Sequence, residues 1–203
     1  MIDCTIGWTR RTVRLRLLTG LLLLTAPLLP AQTVLYDWPV KGLPGADYYL
    51  VNFPDHDSAK GIRDFACGWY TYDGHQGTDF VLKDFTLMDS GVTVLAAAAG
   101  TVTHITDGLF DRSKAINNKQ FGNYISVLHT DGSIAFYAHL RKGSMLVAEK
   151  DKIVAGQPLA LIGSSGNSTD PHLHFELRKG NVVIDPWQGA CGAPSSLWNT
   201  QLA

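Results

Sequence analysis

Residues 163–177 read Gly-Ser-Ser-Gly-Asn-Ser-Thr-Asp-Pro-His-Leu-His-Phe-Glu-Leu, a glycine-rich turn followed at once by an alternating segment. Successive side chains of a β-strand point to opposite faces of the sheet, so His172 and His174 share one face. The other face is apolar and holds Leu173, Phe175 and Leu177. One polar and one apolar face predict a strand that borders both the core and a cleft.

A second segment with metal-ligand character, His75-Gln-Gly-Thr-Asp79, lies far earlier in the chain. Imidazole nitrogens and carboxylate oxygens suit zinc, and a catalytic zinc typically has three protein ligands and one open position. Two histidines and one aspartate would fill those three positions. Either segment alone is more often structural than metal-binding, but together they predict a divided metal site of the open, hydrolytic type.

The rest of the chain reads as short strands separated by turns, without a long helical pattern. Asp131-Gly132 lies between two apolar runs and is a strong hairpin signal, and Lys179-Gly180-Asn181 predicts another hairpin. Strands are predicted near residues 77–83, 92–97, 100–107, 122–130, 133–140, 158–162, 172–178 and 181–184. Many short strands at this spacing predict an all-β fold, an antiparallel β-sandwich or open barrel.

Two segments interrupt the strand pattern. Residues 96–99 are four alanines that favour a helix on propensity alone, but the flanking valines and Gly100 favour a strand and a bend. Residues 108–120 are polar, contain Asn-Asn, and are predicted to form an exposed loop.

A third histidine segment, Tyr137-Ala-His139-Leu140, follows an apolar strand, and Gly122-Asn123-Tyr124 precedes another. In this order the segments resemble the lysostaphin-type (LytM-like) zinc endopeptidases, which cleave peptidoglycan cross-links. The resemblance covers about residues 68–187. One departure is Asp170, where glycine is commoner in the family, and it concerns the shape of the turn.

The resemblance implies a role for each of five residues. His75, Asp79 and His174 would bind one zinc ion per chain, and long loops would wall the substrate cleft. His139 and His172 match the family's two non-ligand histidines, which lie beside the water and the scissile carbonyl. One would take the proton from water and the other would stabilise the oxyanion. His172 is preferred as the base because its strand holds it two residues from a ligand, but the assignment stays open.

The function implied by the resemblance is a secreted zinc endopeptidase whose substrate is a peptidoglycan peptide. Two alternatives stay open. One is a metallopeptidase acting on glycine-rich extracellular proteins, and the other is a module that holds peptidoglycan or a partner without cutting. The presence of all five site residues argues against the module.

Residues 1–31 have the composition of a secretory signal peptide, with four arginines ahead of an apolar run from Leu17 to Leu29. The run is too short for a comfortable membrane span, although an uncleaved anchor is the alternative. Cleavage near Ala31 predicts a secreted or periplasmic protein without stable membrane insertion.

The remaining 172 residues are enough for one sizeable core. They carry 13 basic and 17 acidic residues, and they show no basic run or motif for nucleic acid. We expect an irregular lead-in over residues 32–62, a zinc metallopeptidase domain over 63–191 and a tail over 192–203. We also expect a monomer.

Two cysteines, Cys67 and Cys191, remain once Cys4 leaves with the signal peptide. An even pair in an exported chain predicts a disulfide. The alternative is that Cys67 is a nucleophile, but no Cys-His motif surrounds it. Serine catalysis is disfavoured too, because Gly163-Ser-Ser-Gly166 lacks the Gly-x-Ser-x-Gly spacing.

The other polar and aromatic candidates receive ordinary interpretations. His104 and His129 lack partner motifs and are predicted to be surface or core residues. His56, between two aspartates, is predicted to lie in a solvated turn. Glu176 shares the strand face of His174 and could contact that ligand from outside the metal site, but the resemblance gives it no ligand role. Tyr72 and Tyr137 could each line the cleft or lie in the core.

Overall fold

The computed structural model describes residues 1–2, 33–112 and 120–201. Almost all of the predicted signal peptide, and most of the predicted loop at 108–120, lie outside the described residues. The described residues from 33 onward belong to one compact unit. Among the described residues, none of the helices has the length and apolarity needed to cross a membrane.

The described fold consists of short strands and one short helix. The strands are β1 (Tyr49–Leu50), β2 (Thr78–Val81), β3 (Thr93–Leu95), β4 (Gly100–Thr106), β5 (Tyr124–Leu128), β6 (Ile134–Ala138), β7 (Lys152–Ile153), β8 (Pro158–Leu161), β9 (His172–Lys179) and β10 (Val182–Ile184). The helix, α1, is Phe85–Ser90.

Eight of the strands form one antiparallel sheet, in which seven follow the order β1-β2-β9-β6-β5-β4-β7 and β10 pairs with β9. β9 is the longest strand and pairs with β6 along one edge. Along its other edge it pairs first with β2 and then with β10. β3 and β8 form a separate two-stranded antiparallel sheet. The predicted antiparallel all-β fold is confirmed.

The eight predicted strands are all present, and so are the two predicted hairpins. At the β5–β6 hairpin, the backbone N–H of His129 donates to Ser133 O and that of Gly132 donates to His129 O. Gly132 has a φ of 83° and Gly180, in the β9–β10 hairpin, has a φ of 60°. Glycine adopts positive φ without steric cost, which is why these two positions determine the turns.

Three short elements were not predicted: β1, β7 and α1. Two-residue strands contain no alternation to detect, and α1 has only six residues and buries only Met88. The Asp84 side chain caps α1 by accepting the backbone N–H of Leu87. In the alanine run, β3 ends at Leu95 and a bend follows, as predicted.

The apolar face of β9 lies in the centre of the core. Leu173, Phe175 and Leu177 are each at most 1% exposed. The chain that precedes β1 and the chain that follows β10 both pack against this apolar face. The centroid of the Phe175 ring lies 6.3 Å from that of Tyr36 and 5.5 Å from that of Trp198. Residues of the predicted lead-in and tail therefore contribute to the same core as the sheet.

Cys67 and Cys191 are joined by a disulfide, with their Cα atoms 5.2 Å apart. The bond connects the segment ahead of His75 to the chain that follows β10. The Asp64 carboxylate stabilises the same segment by accepting the backbone N–H groups of Ala66, Gly68 and Tyr70.

Reduction of this disulfide is expected to lower the melting temperature by about 10 °C or more. The cross-link spans 124 residues, and in the chain-entropy model such a loop contributes about 4–5 kcal/mol. Calorimetry of oxidised and reduced protein measures the shift. The Cys67→Ser, Cys191→Ser double variant should melt like reduced wild type under both conditions. Two alkylatable cysteines in denatured, unreduced protein from an oxidising compartment would contradict the pairing.

Candidate metal centre

The pairing of β2 with β9 brings the two predicted ligand segments together. Asp79 on β2 lies directly opposite His174 on β9, and directly opposed side chains of an antiparallel pair are close neighbours. His75 lies in the loop just before β2 and points into the same space. The three predicted ligands, which come from two segments far apart in the chain, are all buried.

The three ligand atoms form a compact triangle. His75 Nε2 lies 3.2 Å from Asp79 Oδ1 and 3.1 Å from His174 Nδ1, and the latter two atoms are 2.9 Å apart. A zinc ion held at about 2.0 Å by tetrahedral ligands separates them by about 3.3 Å. The triangle therefore has the size of one face of a zinc coordination tetrahedron.

Hydrogen bonds on the far side of each ring decide which nitrogen faces the triangle. His75 Nδ1–H donates to Phe53 O at 2.9 Å, and His174 Nε2–H donates to Glu176 Oε2 at 3.1 Å. In their neutral forms both rings then turn a lone pair toward the triangle and toward the Asp79 carboxylate. Such an arrangement requires a cation between them, so the residues present fit zinc.

The electrostatics of the triangle lead to the same conclusion. Burial acts to lower the pKa of His174, but its hydrogen bonds to the Asp79 and Glu176 carboxylates outweigh this and raise the pKa to about 9. Burial acts to raise the pKa of Asp79, but the hydrogen bonds to His174 and His75 hold it well below its usual range. Both shifts favour a proton shared between His174 and Asp79 when no cation is bound, and zinc binding would release that proton.

His139 and His172 lie beside the triangle rather than in it. Their ring centroids are 4.5 Å apart, and His172 Nε2 lies 3.8 Å from Asp79 Oδ1. Each ring donates through Nδ1–H to a backbone carbonyl at 2.8 Å, His139 to Ser165 O and His172 to Asp170 O. Both Nε2 atoms are then free to accept a proton.

Both of these histidines are neutral at pH 7. Burial is the main cause that lowers the pKa of His139 well below its usual value, and electrostatic interaction with the neighbouring imidazoles of His172 and His174 lowers it further. Burial also lowers the pKa of His172, although Asp79 opposes the change. Two neutral imidazoles beside a three-ligand site can accept a proton from water or contact a substrate oxygen.

The backbone holds His139 in an unusual conformation. Its φ is 58°, in the left-handed region that non-glycine residues rarely adopt. Asn123, fully buried, organises the surroundings: its side-chain amide donates to Leu140 O, and its backbone N–H donates to Ser165 Oγ. The Gly-Asn turn noted in the sequence thus supports the carbonyl of Ser165 that orients the His139 ring.

Gly77, between the first two ligands, is required for steric reasons. A Cβ atom at this position would lie 2.6 Å from His174 Nε2 and 2.7 Å from Phe175 O. The His75-Gln-Gly-Thr-Asp79 segment can approach β9 closely only because this side chain is missing.

The metal centre opens into a cleft. A cavity of about 340 Å³ is lined by His75, His139, His174 and Glu176, together with the aromatic rings of Tyr72 and Phe121. Phe121 also lines a neighbouring cavity of about 470 Å³. Tyr72 lies with its ring 4.5 Å from that of His75 and belongs to the cleft. Tyr137, fully buried, belongs to the core.

The remaining histidines lie away from the centre. His104 is exposed and 3.1 Å from Glu149, and His129 is buried and donates to Ala99 O, so their surface and core assignments are confirmed. The prediction for His56 is wrong. Its Nε2 lies 2.6 Å from a buried oxygen of Asp185, and its side chain is 27% exposed.

Two further residues contact the candidate ligands, and only the first could be anticipated from the sequence. Glu176 orients His174 and is itself paired with Arg178. The sequence signal for Glu176 was its position two residues after His174 on β9, which places both side chains on the same face of the strand. Asn52 donates through Nδ2 to Asp79 Oδ2 at 2.9 Å, and no motif surrounds it.

Residues 73–186, more than half of the chain, match peptidase family M23. The chain belongs to this family. All five site residues lie inside the matched range, and the family resemblance predicted from the sequence is confirmed.

Relatives of this M23 chain come from several bacteria. It is 36% identical over 114 residues to outer membrane antigenic lipoprotein B of Haemophilus influenzae, covering 56% of this chain and 25% of that protein. It is 33% identical over 96 residues to murein hydrolase activator NlpD of Escherichia coli (47% and 22%). It is 30% identical over 112 residues to peptidoglycan DD-endopeptidase ShyC of Vibrio cholerae (55% and 22%). The chain thus spans about a quarter of each relative's length.

Solved structures share the M23 fold at lower identity. A zinc-containing peptidase from Vibrio cholerae superposes with a TM-score of 0.53 at 24% identity, covering 74% of this chain and 39% of that one. The SpoIIQ–SpoIIIAH pore-forming complex includes a chain with a TM-score of 0.55 at 24% identity, covering 76% and 90%. At this level of sequence identity, the similarity to these two structures shows a shared fold.

Proposed function

We propose that the chain is a zinc-dependent endopeptidase that hydrolyses peptide bonds in peptidoglycan cross-links. The observation that carries the proposal is the tautomer pattern of the four site histidines. Each ring anchors one N–H to a carbonyl or carboxylate, so His75 and, once its second proton has been released, His174 can turn the other nitrogen as a lone pair toward Asp79. Export by cleavage near residue 31 would place the enzyme in the cell envelope.

Three ligands leave a coordination position for water or substrate. When bound, zinc supplies Lewis acidity to a carbonyl and lowers the pKa of water toward about 7. The protein's own contribution is to hold two neutral imidazoles beside that position. His172 Nε2, the nearer to Asp79, would take the proton from water. His139 would contact the oxygen on which negative charge develops.

A second candidate function is that of a non-catalytic activator of another enzyme. It is favoured by the names of relatives, since the Escherichia coli relative is a murein hydrolase activator. The ligand triangle and the two neutral histidines support the enzyme instead. A protein that only held a partner would not need a lone pair directed at each of these positions.

Purified protein is expected to release new amino groups from isolated sacculi, because each hydrolysed peptide bond exposes one amine. A zinc chelator should stop the release and added zinc should restore it. Glycine-rich peptides tested in parallel address the alternative of an extracellular protein substrate.

Zinc-loaded protein that releases no amines from sacculi would contradict the cross-link proposal. Cleavage of the glycine-rich peptides alone would then favour the protein substrate. Faster digestion of sacculi by an added murein hydrolase, without any cleavage by the protein itself, would favour the activator.

A further inference from the structure

The chain segment just after β1 runs alongside the first two ligands. The backbone N–H of Val51 donates to Asp79 O at 3.2 Å, and Asp79 N–H donates to Asn52 O at 2.9 Å. Farther along, Asp55 N–H donates to His75 O at 2.8 Å. The segment 51–55 therefore continues the antiparallel pairing of β1 past the end of the strand. It lies ahead of residues 73–186, which match the family.

The same segment also contacts both ligand side chains. Phe53 O accepts the Nδ1–H of His75, and Asn52 Nδ2 donates to Asp79 Oδ2. Two of the three candidate ligands thus make their outer hydrogen bond with a residue outside the family-matched range, whereas His174 donates its own to Glu176.

The contact with Asp79 affects how that carboxylate can bind a metal. Asp79 directs Oδ1 into the ligand triangle and Oδ2 toward the Asn52 amide. An oxygen that accepts this hydrogen bond is held away from the ion. The aspartate then supplies one ligand atom instead of two, and the coordination position opposite the protein remains available for water or substrate.

We propose that Asn52 is a positioning residue of the metal centre, which holds Asp79 as a one-oxygen ligand. The proposal rests on the proposed zinc site but not on endopeptidase activity. The neighbouring contact of Phe53 is made by the main chain, so a side-chain substitution cannot remove it. Asn52 is therefore the residue through which the contribution of this segment can be measured.

The test compares Asn52→Leu with Asn199→Leu. Asn199 is a matched control because its Nδ2 also donates to an aspartate, Asp37, at 2.7 Å, on the surface and outside the centre. Zinc affinity is measured by competition with a chromophoric chelator, and the coordination number is followed by the visible spectrum of the cobalt-substituted protein. The melting temperature of the metal-free protein reports any purely structural effect.

Asn52→Leu is expected to bind zinc about 10–100-fold more weakly than wild type. Its cobalt spectrum should weaken, since a freed Oδ2 can join the ion, and ions with more ligands than four absorb less. Asn199→Leu should keep wild-type affinity and spectrum. Asn52→Ala, which adds no bulk and retains the backbone bond to Asp79, should behave like Asn52→Leu and serves if the leucine variant does not fold.

Wild-type zinc affinity and cobalt spectrum in folded Asn52 variants would overturn the proposal, even if their melting temperature fell. Equal losses of affinity in the Asn52 and Asn199 variants would overturn it as well. Wild-type protein that binds no zinc would instead refute the metal centre itself, so the two failures can be told apart.

Discussion

His174→Ala protein is expected to contain no bound zinc after dialysis and to lose hydrolysis of peptidoglycan to background. Only His75 and Asp79 would remain as ligands, and a catalytic zinc typically needs three from the protein. The His174 side chain is also the one that connects the triangle to Glu176. Elemental analysis of the dialysed protein measures the zinc, and amine release from sacculi measures the activity.

The control for this substitution is His104→Ala. His104 is an exposed histidine on β4 with a carboxylate partner, Glu149, and lies outside the triangle. This variant should retain one zinc per chain and full activity. A folded His174→Ala protein with a full complement of zinc would show that His174 is not a ligand.

His139→Ala protein is expected to keep its zinc and its fold but to turn over at least about a hundredfold more slowly, with little change in KM. His139 lies outside the ligand triangle, so its loss leaves all three ligands in place. A group that acts on charge developing in the transition state changes kcat more than substrate binding. Steady-state kinetics on a cross-link peptide measure kcat and KM. Elemental analysis measures the bound zinc, and circular dichroism checks the fold.

The comparison variant is His172→Ala, which should also retain most of its zinc while losing activity. Near wild-type kcat in His139→Ala would show that the ring only supports the loop through its hydrogen bond to Ser165. His172 would then be the single catalytic histidine of the proposed mechanism.

The fold class could be predicted from the sequence because its signals are local. Alternation in residues 172–177 assigns each side chain to a face without reference to any partner. Glycines in the Asp131-Gly132 and Gly180 turns identify hairpins through their own backbone preferences. Elements too short to show a period, such as β1 and the six-residue α1, could not be found in this way.

The five candidate site residues could be proposed from the sequence because family motifs carry residue type and order, and the structure brings their side chains close together. Their sequence separations say nothing about distance. Only the register of β2 on β9 places Asp79 opposite His174. Glu176 had a weak local signal, since it follows His174 at the strand period, whereas Asn52 had none.

The sequence by itself therefore determined the strand pattern, the hairpins and the five candidate site residues, since each depends on neighbouring residues or on a motif. The tertiary structure alone decided which nitrogen of each histidine faces the cleft and which oxygen of Asp79 enters the triangle. It also decided that His56 pairs with Asp185 and that Asn52 reaches the metal centre. Most of these features depend on hydrogen bonds between groups that are distant in the chain, and only the folded backbone brings such groups within bonding distance.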